Sequence, residues 1–219
     1  MPAAGPQSLP TCLGARSERR APRMGHDDGA LIASDLTSAE VYARDRKGWH
    51  AQALAHREAR TVRVGSNAIL VFEDRFTVRH QLQEMIRIEQ ISEPVLIQAE
   101  IDSYSALMPD GNNFKASFML EFADADERRA IGPRLAGIER TVWIRVDGMV
   151  RIFGDVGARA DAQAGAAPLI HRLAFELRRQ DVRALQTGAQ LSVGIDHLYC
   201  NAKLLVNDRQ RDLLVDDLH

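Results

Sequence analysis

The sequence predicts an α+β protein in which helices pack on a mainly antiparallel mixed sheet built of hairpins. Strand-like segments occur in neighbouring pairs joined by turn sequences, Gly-Ser-Asn at 65–67 and Asp-Gly at 147–148. Helix-like segments lie before and after these pairs and do not alternate with single strands, which is the order expected of an α+β fold. A chain of 219 residues is long enough for one domain with a full core and short for two.

Caps, turns and apolar spacing define the elements before residue 113. Thr37 and Glu40 have the spacing of a capping box and predict a helix start, and Gly48 is expected to divide this helix from a second one. Pro94 suits the first turn of a further helix, and Pro-Asp-Gly-Asn at 109–112 predicts a turn. The apolar stripe predicted for the helix from 94 consists of Ile97, Ile101, Tyr104 and Met108. The predicted elements are helices from 37, at 49–60, at 75–91 and from 94, with strands at 60–65 and 68–72.

The elements after residue 113 are mostly predicted strands. Asp147-Gly148 is the strongest short hairpin signal in the chain, and both faces of this hairpin are largely apolar, so both should be covered. A two-residue turn would place on one face Val142, Ile144, Val146, Met149, Arg151 and Phe153. The predicted strands are 114–122, 141–146, 149–156, 169–177, 189–197 and 201–206. Asp124, with Glu127 three residues on, predicts a cap and a helix start. Further helices are predicted at 181–185 and 208–218, and a Gly/Ala-rich loop is expected at 154–167.

Composition narrows the classes of function. A net charge of −2 argues against a dedicated nucleic-acid-binding protein, and no apolar run approaches the roughly 20 residues of a membrane helix. The two cysteines, Cys12 and Cys200, lie in unlike contexts and no CxxC is present, which favours a reducing cytoplasm. Residues 1–24 lack apolar periodicity and are predicted to form a disordered tail, so that 25–219 is the single α+β domain.

The predicted helix at 75–91 carries charged residues where its spacing requires apolar ones. Glu89 falls on the stripe formed by Val78, Leu82 and Ile86, so we expect it to be buried and paired with a cation from outside its helix. Such a carboxylate belongs either to a structural ion pair or to a site. The candidate catalytic residues are Glu84, Arg87, Glu89 and His197. The candidate binding residues are Glu73, Arg75, Asp110, Asp196 and Tyr199.

A second polar group, Asp196-His197-x-Tyr199, lies at the end of a predicted strand. Neighbours in a strand point to opposite faces, so Asp196 is not expected to orient His197 directly. Because buried polar groups must find partners, we expect this strand end to face the 75–91 helix and to form a shared site with it. The Glu-x-x-His motif of ferritin-like di-iron proteins is replaced here by Glu-x-x-Arg.

Four runs of this sequence resemble a bacterial family known as domain of unknown function 3501. They are FEDRFTVRHQLQEMIRIE at 72–89, MPDGNNFKA at 108–116, GIERTVWI at 137–144 and IDHLY at 195–199. The chain departs from the family pattern at His80, where an aromatic residue is more usual, at Leu198, and at 105–107. The resemblance brings no established activity. It implies a role beside rubrerythrin-like and iron–sulfur oxidoreductase proteins, whose genes tend to lie near those of the family.

Three functional hypotheses follow, of which the last is a purely structural ion-pair network in a regulatory module. The first is a cytosolic accessory or binding protein of a redox or peroxide-stress pathway, whose partner is a rubrerythrin-like or iron–sulfur protein. The alternative is a small-molecule enzyme with a carboxylate and histidine site that binds a divalent metal or uses these groups as acid and base. The sequence identifies no cofactor. Carboxylates converging with His197 in an open pocket would favour the enzyme, and an exposed apolar patch over a solid core would favour the binding protein.

Overall fold

The computed structural model describes residues 30–157 and 170–219. The helices are α1 (Ala39–Ala59), α2 (Arg75–Ile88), α3 (Pro94–Ser105), α4 (Ala125–Ile131), α5 (Arg179–Gln186) and α6 (Asp208–Val215). The strands are β1 (Thr61–Val64), β2 (Ala68–Phe72), β3 (Asn113–Leu120), β4 (Val142–Val146), β5 (Ile152–Phe153), β6 (Asp155–Val156), β7 (Ile170–Glu176), β8 (Leu191–His197) and β9 (Cys200–Leu205). The predicted tail at 1–24 and most of the predicted loop at 154–167 lie outside the described residues.

The strands form two antiparallel sheets, which confirms the α+β class. A five-stranded sheet has the order β1-β2-β3-β7-β6, and a four-stranded sheet has the order β5-β4-β8-β9. One apolar core lies between them, because residues of both sheets belong to the same buried cluster. Along β2, Leu70 and Phe72 point into this core, whereas Ile69 and Val71 are buried on the opposite face. The five-stranded sheet is therefore covered on both faces.

The chain passes from one sheet to the other at Gly154. Strand β5 ends at Phe153 in the four-stranded sheet, and β6 begins at Asp155 in the five-stranded sheet. A Cβ atom on Gly154 would lie 3.1 Å from Cε1 of Phe175 and 3.2 Å from Cβ of Leu173. The crossing is close-packed, and glycine provides the space that it needs.

A second apolar cluster joins α2 and α3 on the outside of the five-stranded sheet. Val78, Leu82 and Ile86 of α2 pack here with Leu31 and with Ile101 of α3. The stripe predicted for α3 is confirmed, since Ile97, Tyr104 and Met108 pack against the same cluster. No helix in the two described ranges combines the length and the apolarity that a membrane crossing requires.

The predicted break at Gly48 is wrong, because α1 continues through it. A Cβ at Gly48 would have no neighbour within 4 Å, so this position is open to solvent and lies in the helix interior. Glycine costs a helix only about 1 kcal/mol relative to alanine, which the contacts of a helix of 21 residues readily offset.

The hairpin at Asp147-Gly148 forms, but its register differs from the predicted one by one residue. A two-residue turn would set Ile144 opposite Arg151, whereas the structure pairs Ile144 with Ile152. Within the turn only Gly148 has a positive φ, of 74°, so this is not the type I′ turn, which needs a positive φ at both central residues. Consequently Ile152 packs on the core, and Phe153, predicted to share the face of Ile144, is exposed.

Candidate functional site

Helices α1 and α2 lie antiparallel and meet along a polar surface, which we call the α1–α2 seam (residues 42–60 against 74–87). Tyr42 near the start of α1 contacts Glu84 near the end of α2, and His56 near the end of α1 contacts Phe76. The buried residues of α1 are Tyr42 and Ala53 alone. Helix α1 is therefore attached to α2 mainly through hydrogen bonds, ion pairs and ring contacts.

Glu84 is the centre of one end of the seam. Arg46 of α1 donates two hydrogen bonds of 2.8 Å to its carboxylate, Tyr42 donates one of 2.7 Å, and Arg87 donates from one turn along α2. The hydrogen bonds from Arg46, with those from Tyr42 and Arg87, hold the pKa of Glu84 well below its usual range. Burial and the bond to Glu84 raise the pKa of Tyr42. This carboxylate is charged and fully engaged at neutral pH, as expected of a structural group.

The expectation that Glu89 is buried and paired with a cation is wrong. Helix α2 ends at Ile88, Glu89 is the exposed C-cap, and Gln90 adopts a φ of 53°. The N–H of Ile91 donates to the carbonyl of Ile86 and that of Gln90 to the carbonyl of Arg87, which together form a Schellman motif. The helical stripe therefore stops before it reaches Glu89, and Glu89→Ala should change stability by less than about 0.5 kcal/mol.

Asp74 is the centre of the other end of the seam. Its carboxylate lies 2.6 Å from Nε2 of His56 and 3.3 Å from Nη1 of Arg60, and it caps α2 by accepting from the N–H of Thr77. Arg60 also pairs with Asp217 at the C-terminal end of the chain. Burial alone would raise the pKa of Asp74, but the hydrogen bond with His56 and the charge of Arg60 lower it to about 2.

Asp74→Asn is expected to remove an acid-dependent part of the stability. Because the pKa of Asp74 is lower in the folded chain than its usual value near 4, its charge stabilises the fold above about pH 4, and this contribution is lost as the pH falls through about 2. Asparagine keeps the N-cap. In urea unfolding, the stability difference between wild type and variant should shrink by about 2 kcal/mol between about pH 6 and about pH 2.5. Asp126→Asn, on the exposed face of α4, should show no such change.

Glu73 is buried in a third polar cluster, beneath α2 on the outer face of the five-stranded sheet. It is 2% exposed. Its carboxylate accepts hydrogen bonds from Ser117 of β3 and Gln81 of α2, the latter at 2.8 Å, and lies 3.2 Å from Nη1 of Arg172 of β7. Arg172 also donates to Ser117 and to Gln81. All four side chains satisfy one another, which fixes α2 to the sheet and leaves Glu73 enclosed.

Between these clusters the seam contains two buried nitrogen atoms that have no hydrogen-bond partner among the described residues. They are Nε2 of His80 and Nε of Arg57. The ring of His80 lies 5.9 Å from that of His50, and burial lowers the pKa of His80. The hydrogen bonding of the seam is incomplete at this point.

The Asp196 cluster lies elsewhere, on the outer face of the four-stranded sheet. Nε1 of Trp143 donates a 2.9 Å hydrogen bond to Asp196, and Arg151 pairs with the same carboxylate while its guanidinium carbon lies 4.3 Å from the centre of the indole ring. Nδ1 of His197 accepts a hydrogen bond from the N–H of Tyr199, at 3.3 Å. Both His197 and Tyr199 remain outside the ion pair.

The expected shared site of His197 or Asp196 with α2 is therefore wrong. Trp143 alternates with Val142 and Ile144, which point into the core, so Asp196 lies on the side of its sheet that faces away from the core. Ser117 likewise alternates with the core residues Ala116 and Phe118, so α2 lies on the outside of the other sheet. The two clusters are on opposite outer faces of the molecule and form independent structural pairs. In the described part of the chain, no group of three or more His, Cys, Asp or Glu side chains could hold a metal ion.

The remaining candidates have local roles. Arg75 at the start of α2 donates a 2.7 Å hydrogen bond to Asp35. Asp110 accepts from the N–H of Asn112 and from the side chain of Asn113, and so it stabilises the turn before β3.

Asp74, the centre of one end of the seam, was not among the residues predicted from the sequence. The D-x-x-T spacing at 74–77 is an N-cap signal that could have identified Asp74, whereas no sequence signal indicates its contact with Arg60 or that of Arg60 with Asp217.

Comparisons with known proteins agree with this architecture. A family model described as "Protein of unknown function (DUF3501)" matches residues 30–218. The chain belongs to the DUF3501 family. This DUF3501 protein is also similar to a crystal structure of a novel protein of unknown function from Burkholderia pseudomallei K96243, with 35% sequence identity and a TM-score of 0.81 over 87% of this chain and all of that one. No curated protein matches significantly.

Proposed function

We propose that this DUF3501 protein is a cytosolic accessory protein of a redox or peroxide-stress pathway, and that it binds a rubrerythrin-like or iron–sulfur oxidoreductase protein. The redox assignment comes from the family resemblance. What supports binding over catalysis is the state of the candidate catalytic residues. Glu84 and Arg87 bind each other. Glu89 is an exposed residue at a helix end, and His197 is on the other side of the molecule.

One observation carries the proposal: an exposed apolar corner between α2 and α3, which we call the α2–α3 corner (residues 88–96). Ile88, Val95 and Leu96 are all exposed, Val95 to 79%. Single apolar residues are common on protein surfaces, but here three large exposed ones lie within nine residues, and clustered exposed apolar residues are typical of binding surfaces. The Schellman motif ends α2 immediately after Ile88, at the surface.

The charged residues around the α2–α3 corner favour partners with a basic edge. The exposed carboxylates of Glu89 and Glu93 border the apolar residues, and the seam residue Arg87 is engaged by Glu84. A partner that fits this surface presents an apolar centre with lysine or arginine at its edge, since complementary charge speeds encounter and suppresses wrong partners.

The experiment is affinity capture from the organism that carries the gene, with the full chain as bait. Wild type should enrich a rubrerythrin-like or iron–sulfur oxidoreductase protein, identified by mass spectrometry. A Val95→Ser/Leu96→Ser variant should bind that purified protein at least ~10-fold more weakly, because truncating central interface residues typically costs more than about 1 kcal/mol each. Leu54→Ser, which alters an exposed leucine of α1, is the matched control and should bind like wild type.

Capture of redox proteins by neither bait, or equal capture by wild type and by the corner variant, would contradict the proposal. Equal loss of binding in the Leu54→Ser control would show that the effect is not specific to the corner.

A further inference from the structure

Strand β9 is an edge strand with an open side. It pairs with β8 on one side, and within the described residues no strand pairs with its other side. Asn201, Lys203, Leu204 and Leu205 are exposed. The hydrogen-bonding pattern shows which backbone groups are available on the open side.

The N–H of Val206 donates to the carbonyl of Leu191 at 2.8 Å, so this pair is of the hydrogen-bonded type. Antiparallel pairs alternate between hydrogen-bonded and non-hydrogen-bonded types along a strand. The N–H and C=O groups of Asn201, Lys203 and Leu205 therefore point away from β8. In residues 30–157 and 170–219 no strand pairs with these groups, which form a row that can receive another strand.

The other edge strands of the two sheets are shorter than β9, and one backbone group of β1 is covered by α6. Strands β5 and β6 have two residues each, and the carbonyl of Thr61 in β1 accepts a 2.8 Å hydrogen bond from Gln210 of α6. Strand β9 has six residues and no proline, and Leu205 is 55% exposed. A long edge with exposed leucines is normally covered in a native protein.

We propose that a second copy of this chain covers β9, pairing its own β9 in antiparallel fashion about a two-fold axis at Ala202. This inference concerns a surface separate from the α2–α3 corner and goes beyond the proposed function. The pairing joins the two four-stranded sheets into one continuous sheet. A second copy is the favoured occupant because β9 complements itself in one register.

That register follows from geometry and charge. Outward-pointing residues pair with outward-pointing residues, so the two-fold axis must pass through a residue position. An axis at Lys203 would set two lysines opposite each other, which is unfavourable. An axis at Leu204 would leave much of β9 unpaired.

An axis at Ala202 avoids both the opposed lysines and the unpaired part of the strand. It sets Lys203 opposite the partner's Asn201 and Leu204 opposite the partner's Cys200, and each Lys203–Asn201 pair exchanges both N–H···O bonds. No like charges face each other, nearly the whole strand is paired, and the small side chain of Ala202 lies at the axis. Exposed Leu204 then gains an apolar neighbour across the interface.

The first test is the oligomeric state of the full chain, measured by sedimentation equilibrium. Wild type should be a dimer. Lys203→Pro should raise the dissociation constant about 30-fold, since it removes two symmetry-related N–H donors of the interface without removing a bond to β8. Lys203→Ala keeps the N–H and should remain a dimer. A monomeric wild type, or a Lys203→Pro variant as dimeric as wild type, would overturn the proposal.

The second test needs no proline, and it therefore tests the pairing of β9 with β9 even if Lys203→Pro folds poorly. With Cys12 and Cys200 replaced by serine, Ala202→Cys should form a disulfide-linked dimer on mild oxidation, because the two Cα atoms of a non-hydrogen-bonded pair lie about 4.5 Å apart. Asn201→Cys in the same background lies opposite the partner's Lys203 and should cross-link at least ~10-fold less. Cross-linking through Asn201→Cys and not through Ala202→Cys would overturn the register.

Discussion

Replacing Arg60 by alanine is expected to lower the free energy of unfolding by roughly 3–5 kcal/mol. Arg60 is 4% exposed, and its guanidinium pairs with Asp74 and Asp217 while its Nε donates a 3.1 Å hydrogen bond to the carbonyl of Phe72. Alanine would leave two carboxylates and a carbonyl without this donor in a largely buried place. The loss should appear as a lower urea midpoint with an unchanged slope.

Arg63→Ala is the matched control for this experiment. Arg63 lies three residues along the chain, and its pair with Glu121 at 3.2 Å is exposed on both sides. Such a pair contributes between about 0 and 1 kcal/mol. Similar losses in the two variants would mean that Arg60 is not the buried junction of α1, β2 and the C-terminal end that its contacts indicate.

Replacing Gly194 by alanine is expected to cost about 3 kcal/mol, at the upper end for overpacking. Gly194 pairs with Trp143 across the four-stranded sheet. A Cβ atom there would lie 2.5 Å from Cε2 and 2.8 Å from Cη2 of the indole, which is 1% exposed and bound by Asp196 and Arg151. Thermal unfolding should show a clear fall in Tm.

Two further variants identify the cause. In a Trp143→Leu background the same Gly194→Ala change should lower the free energy of unfolding much less, since the indole ring that the new Cβ would overlap is absent. Gly48→Ala, in the open interior of α1, should instead stabilise by about 0.5–1 kcal/mol. A Gly194→Ala penalty that is unchanged by removal of the indole would point to the backbone and not to the ring.

The sequence predicted best what is encoded locally. The stripes of α2 and α3 and the cap at Asp124 depend on residues within a turn or two, and the structure confirms them. Glu89 was wrongly predicted to lie on the buried stripe, because the Schellman motif has glutamine and not glycine at its positive-φ position. The sequence therefore contains no glycine that would mark the end of the helix.

The candidate site was harder to predict because its partners are distant in the chain. Arg60 and Asp217 are 157 residues apart, and Glu73 and Arg172 are 99 apart. Charge pairs over such distances leave no periodic signal, since their geometry depends on the packing of the sheets. Polar density correctly indicated ion pairs and hydrogen bonds in both segments, but it did not mean that the two segments meet.

The crossing at Gly154 has a consequence for how the chain can be divided. The five-stranded sheet takes its strands from residues 61–120 and 155–176, and the four-stranded sheet takes its strands from 142–153 and 191–205. No single cut of the polypeptide yields one fragment for each sheet. The two sheets are interleaved along the chain as well as packed in space, so a fragment that lacked either end would keep at most one complete sheet, with its inner face exposed. The two sheets are therefore expected to fold as one unit.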